Sequence, residues 1–243
     1  MIEHDIKVRT RAGQMHAFTA RPAGQGPHPA VIFFMDAPGF RPELEDMARR
    51  IALAGYHCIL PDLYYRMGTI RLDYDRSNPG HATLMMAARN NVTNAMTVDD
   101  TAAILTHLDA HPDVKPGKIG IVGHCMSGSF IMTVAARFPD RVAAAAAFYG
   151  TRIITDEADS PHLIAGDIKG EVYLSFAETD THVEDNIADD IAVVLKEKGV
   201  KALVEKVPGT EHGYCFAERP AYHPIAAEQA WQKLKALFER ALA

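Results

Sequence analysis

The chemistry in this chain gathers where an apolar run meets small residues. Ile119-Gly120-Ile121-Val122-Gly123-His124-Cys125-Met126-Ser127-Gly128 has the core G-x-C-x-S-G. The pattern is that of the strand–turn–helix elbow G-x-S-x-G, with cysteine as nucleophile and the second glycine displaced by one residue. A residue at the tip of such a turn is strained, so its neighbours must be small. Gly123, Ser127 and Gly128 meet that demand. The positive end of the following helix would favour a thiolate. The plainer alternative is a cysteine buried at an ordinary strand-to-helix turn, where that residue is common. Ser127 and Ser129 lie off the tip and are discounted as nucleophiles.

A thiol at such a turn needs a base, and the base needs an acid to orient it. Asp180 follows the strand expected at Glu171–Phe176, and His212 follows the strand expected at Lys201–Val207. The chain order Cys125, Asp180, His212 is that of α/β-hydrolases. Glu178 rivals Asp180, which could also cap a helix expected to start near Val183. Twelve histidines are present, and His182 and His124 compete with His212, which stands out by position and by Gly213 beside it. After Ala30–Met35 comes Asp36-Ala37-Pro38-Gly39-Phe40. A backbone N–H from such a loop is the second oxyanion donor in this class, which pairs Ala37 with Met126. Asp36 would then be a carboxylate near the thiol, raising its pKa or taking its proton. Otherwise it caps the helix near Pro42.

The elements that must position these residues alternate along the chain. A hairpin is expected from Ile2–Thr10 and Gln14–Ala20, and further strands at Tyr56–Leu60, Lys118–Val122 and Val142–Phe148. Helical spacing recurs over Leu44–Ala52, Val98–Leu108, Ser127–Phe138, Ile187–Leu195 and Ala226–Phe238. The expectation is an α/β fold: one domain over 1–243, with a mostly parallel sheet and an N-terminal antiparallel hairpin. The stretch 62–97 breaks the rhythm and reads as a cap-like segment over the cleft. In such sheets ligands sit beyond the carboxyl ends of the strands, where all these motifs fall.

Composition narrows the function. The 243 residues are 48% hydrophobic and 23% charged, an ordinary globular balance. The net charge of −6 gives no pull towards nucleic acid or anionic lipid. Three cysteines without a CxxC pair form no disulfide framework and no zinc or redox motif. No run approaches the roughly 20 apolar residues that span a bilayer, and the first residues do not read as a signal peptide. A cytoplasmic location is expected, with a homodimer compatible with the sequence.

Together the motifs resemble the dienelactone hydrolase family. The landmarks are Met35-Asp36-Ala37-Pro38-Gly39, Pro61-Asp62-Leu63-Tyr64, Gly123-His124-Cys125-Met126-Ser127-Gly128, Asp180 and Glu211-His212-Gly213. The resemblance implies an α/β-hydrolase-type three-layer sandwich and a Cys125–His212–Asp180 triad. It implies a carboxylic ester hydrolase that opens a small lactone or ester through a thioester, with no cofactor and no metal. Well-known members have a glutamate where this chain has Asp36. They also have an arginine four residues after the histidine, where this chain has Phe216. Arg66, Arg71, Arg219 and Tyr64 are the residues left to bind substrate. Two other readings stay open: a non-catalytic small-molecule binder on the same fold, and a thiol redox sensor in which Cys215 approaches Cys125.

Overall fold

A computed structural model describes residues 1–24, 26–72 and 78–243. The chain divides into two compact units, residues 1–117 and 118–243.

The first unit opens with β1 (Ile2–Thr10) and β2 (Gly13–Arg21), paired antiparallel from Ile2↔Arg21 to Thr10↔Gly13. Strand β2 runs antiparallel to β4 (His57–Pro61), which pairs parallel with β3 (Ala30–Phe34). Every residue of β3 and β4 is buried, which accounts for the unbroken apolar sequence of β3 and, after His57, of β4. Helix α1 (Pro42–Leu53) lays Leu44, Ala48, Ile51 and Ala52 against β2 and β4. In α3 (Asn94–Asp109), which packs on β1, the Thr93 side chain caps the first turn by accepting from the Met96 N–H. Between them lie a 3-10 turn, Tyr65–Met67, and helix α2 (Pro79–Asn90), of which only Ala88 is buried. Of the stretch 62–97 singled out in the sequence, residues 73–77 lie outside the described residues.

The second unit is a parallel sheet in the order β5 (Ile119–His124), β6 (Val142–Phe148), β7 (Glu171–Thr179), β8 (Ala202–Glu211). Helix α4 (Ser127–Arg137) joins β5 to β6, and α5 (Ile187–Glu197) joins β7 to β8. The final helix α6 (Pro224–Leu242) lies on β5, β6 and β7. It comes close because Gly120 has no side chain: a Cβ there would stand 2.8 Å from the Phe238 ring. A 3-10 segment at Pro161–Asp167, for which the sequence carried no signal, packs against α4.

Among the boundaries that differ from the sequence expectation, three set where Asp180 and His212 fall. Strand β7 runs on to Thr179 rather than Phe176. Strand β8 continues through Pro208 and Gly209 to Glu211 rather than stopping at Val207. Helix α5 starts at Ile187, not near Val183. Pro208 and Gly209 read as breakers, but β8 is the last strand of its unit and absorbs them in a bulge. The register passes from Ala177↔Val207 to Thr179↔Glu211. Those extra residues of β8 bring the ends of the two strands level.

At the other side of this unit, backbone meets backbone. A Cβ on Gly128 would stand 2.5 Å from the Gly150 Cα, so the first turn of α4 rests directly on the end of β6. Gly128→Ala is expected to push these segments apart and cost about 3 kcal/mol of stability, the upper part of the range for overpacking. Urea unfolding monitored by circular dichroism measures it. A change below about 0.5 kcal/mol would mean the contact relaxes freely.

Candidate active site

Cys125 sits between β5 and α4 with φ +53°, a left-handed conformation that few non-glycine residues adopt. Its backbone is tied on both sides. Its N–H donates to the Phe148 carbonyl at 3.1 Å, and its carbonyl accepts from the N–H groups of Gly128 at 3.0 Å and Thr151 at 2.9 Å. Such over-determination is what keeps a strained residue in place. Met126 forms the N-terminal cap position of α4, where backbone N–H groups lack helical acceptors. Cys125 is half-buried, whereas Cys58 is closed off in β4.

Asp180 and His212 follow the paired residues Thr179 and Glu211. Their side chains meet, with His212 Nδ1 at 2.7 Å from Asp180 Oδ2. The second carboxylate oxygen accepts the His182 N–H at 2.9 Å. Asp180 is 9% exposed, so both bonds offset a carboxylate largely removed from water. The helix-cap alternative does not describe Asp180: Asn186 holds the cap position of α5. Glu178 is exposed and serves the bulge instead, its carboxylate accepting the Gly209 N–H at 2.8 Å. Thr210 pins the same bulge, donating to the Val207 carbonyl at 2.7 Å.

The imidazole is packed as well as bonded. The rings of Tyr149 and His182 meet His212 edge-on, with centroids at 4.9 and 4.4 Å. Tyr149 is buried, has φ +40°, and touches Tyr214, whose hydroxyl is 2.7 Å from Ser175 Oγ. His124 is buried against Phe148 and Phe216. Arg219 is buried with its guanidinium over the Phe216 ring at 4.5 Å. Tyr149, Gly150, Ser175 and Thr210 were not singled out by sequence reasoning. Their signal is position: Tyr149, Gly150 and Thr210 lie at or just beyond the carboxyl end of a strand, and Ser175 is paired with Phe148, the last residue of β6.

The remaining expected residues belong to the first unit. Asp36 is fully buried and bound by the Arg41 guanidinium, which also holds Glu43 at 2.7 Å. Burial opposes the charge on Arg41, but the two carboxylates outweigh it and raise its pKa. Asp36 is therefore an ion-pair partner and not the cap of α1, whose cap position is Arg41 itself. The Ala37 carbonyl accepts the buried Tyr64 hydroxyl at 2.6 Å. The Tyr64 ring lies so close to Gly39, φ +86°, that a Cβ there would stand 2.9 Å from it. Arg66 binds Asp100 through two nitrogens, at 2.7 and 2.9 Å, and Arg71 binds Asp62 at 2.7 Å. Both cations thus already face carboxylates. Among the described residues, no group of three or more His, Cys, Asp or Glu is arranged to hold a metal ion. Nor is any helix among them long and apolar enough to cross a membrane.

Opposed influences act on His212. Burial disfavours its charge, while the Asp180 hydrogen bond and the Cys125 thiol favour it, and the balance raises the pKa to about 9. Nε2 is buried, and Cys125 is the second group, after Asp180, that favours the charged ring. In the unfolded chain the ring titrates near 6.5. The protonated ring therefore stabilises the fold fully below about pH 6.5, and that contribution fades as pH rises towards about 9. Titration of the His212 Cε1 proton by NMR is expected to give a midpoint near 9, falling in Asp180→Asn. A midpoint at or below 6.5 in the native chain would contradict this balance.

Comparison with known proteins agrees with the architecture. Residues 15–242 match the model of the dienelactone hydrolase family. A Synechocystis relative provisionally named carboxymethylenebutenolidase is 28% identical over 233 residues, covering 94% of this chain and 93% of that protein. Protein usf of Aquifex pyrophilus is 27% identical over 243 residues, covering 98% of each. The crystal structure of a provisionally named dienelactone hydrolase from Klebsiella pneumoniae superposes with a TM-score of 0.86 at 25% identity, covering 98% of each chain. With the fold and the family model in agreement over almost its whole length, the chain belongs to the dienelactone hydrolase family, hydrolases of the α/β-hydrolase fold.

Proposed function

We propose that the chain hydrolyses small lactones or activated esters through Cys125, His212 and Asp180. One observation carries the reading: a cysteine held at φ +53° between strand and helix, in the same unit as an imidazole bonded at 2.7 Å to a buried carboxylate. A strained backbone at a half-buried turn needs a reason beyond packing, and a nucleophile gives it one. The names of the relatives point to the same substrate class.

In the proposed reaction Cys125 attacks as a thiolate paired with the His212 imidazolium. The new C–S bond forms at the acyl carbon, and negative charge moves to its oxygen, to which the Met126 N–H would donate. The intermediate collapses by breaking the C–O bond of the ester, and the imidazolium gives its proton to the departing oxygen. The neutral ring then takes a proton from water as the hydroxyl oxygen attacks the thioester. Breakage of the C–S bond restores the thiolate and the imidazolium. Asp180 stays ionised throughout and keeps Nδ1 facing it. A thiolate is a good leaving group, so this arrangement suits activated esters and enol lactones better than amides. For a lactone, acid and alcohol leave in one product.

The test compares native protein with Cys125→Ala on p-nitrophenyl acetate and on an enol lactone, with circular dichroism as the control for folding. Turnover is expected to fall by about a thousandfold or more. Mass spectrometry of the native protein quenched during turnover is expected to show an acyl group on Cys125. Equal rates in the two proteins would leave the triad without a role, and would favour a binding function.

A further inference from the structure

The rings of Tyr149 and His182 pack against His212 from different surroundings. Tyr149 is fully buried, whereas His182 is exposed on the turn between β7 and α5. His182 reaches the site twice. Its backbone N–H holds Asp180 Oδ1 at 2.9 Å, and its ring meets the His212 ring edge-on, with centroids 4.4 Å apart at 67°. The carboxylate oxygen left to His212 is thus selected by the same residue that leans on the imidazole.

A hydrogen bond at Nδ1 fixes one point of the ring and leaves a rotation about that bond. The buried Tyr149 closes one direction of that rotation. From these contacts we propose that His182 closes the other, as a positioning residue that holds His212 Nε2 towards Cys125 from the solvent side. The inference rests on the triad reading above and extends it to a residue that sequence reasoning weighed only as a rival base. His182 need not exchange a proton with substrate in this role. What it supplies is a flat ring, and any ring of similar size would serve.

The experiment uses His182→Ala and His182→Phe, both of which keep the backbone N–H on Asp180, alongside Cys125→Ala. With p-nitrophenyl acetate, His182→Ala is expected to lower kcat about tenfold with little change in KM, since misplacing a base acts on the transition state rather than on binding. His182→Phe is expected to recover kcat to within about threefold of the native value, because edge-on ring packing is restored. Circular dichroism checks that each variant is folded. If Cys125→Ala is inactive but His182→Ala keeps the native kcat, the positioning role is wrong and the triad stands. If His182→Phe is as slow as His182→Ala, the imidazole chemistry matters and not the wall, which also overturns the proposal. If Cys125→Ala turns over at the native rate, the triad reading fails first and takes this inference with it.

Discussion

A carboxylate with little access to water must be compensated in full, and Asp180 is compensated by two neighbours only if two strands end side by side. Both oxygens are engaged, one by His212 and one by the His182 backbone. Loss of either partner would leave part of the buried charge unmatched, which costs far more than an ordinary surface contact. The arrangement is set by sheet register, because Thr179 pairs with Glu211 and the residue after each is Asp180 or His212. Without the bulge at Pro208–Thr210, continuation of the Ala177↔Val207 register would set Thr179 opposite Gly209, leaving His212 displaced along the strand. The hydrogen bonds of Glu178 and Thr210 within this bulge are therefore part of the site's support, though neither side chain reaches the imidazole contact itself.

At Cys125 the constraint is conformational. A left-handed cysteine costs on the order of 1–3 kcal/mol relative to relaxed backbone. Its amide and carbonyl are held by β6 and by the first turn of α4, and the turn can come that near only because Gly128 faces Gly150. The first unit shows a different economy. Asp36, Asp62 and Asp100 are buried, and each is matched by an arginine. Buried carboxylates there are answered by fixed cations, whereas in the second unit the answering group is one that can give up its proton.

Much of this was legible in advance. Continuous apolar runs marked β3 and β5, helical spacing marked α1, α4 and α6, and the glycine pattern around Cys125 marked a strand-to-helix turn. The positions of Asp180 and His212 followed from placing motifs after strands. What could not be read depended on partners distant in the chain. Pro208-Gly209 looks like the end of a strand, and only pairing with β7 shows that it is a bulge. His182 read as a competitor for the role of base; its contact with His212 needs the turn after Thr179 in three dimensions. Arg66 and Arg71 carried no sign of their partners, since Asp100 lies on a helix well along the chain and Asp62 follows a strand. Asp36 and Arg41, by contrast, are five residues apart in one loop, a spacing that a closer reading of charges could have paired.

One short stretch, Tyr149-Gly150-Thr151, touches both halves of the proposed chemistry. Thr151 holds the Cys125 carbonyl, Gly150 admits the helix behind it, and Tyr149 supports the His212 ring. Sulfur and imidazole thus share a mount. When thermal motion shifts the end of β6, both should be carried the same way, and the gap between them should vary less than the position of either. Precision at a reacting centre depends on relative distance, so a common mount can secure it without making the whole sheet rigid.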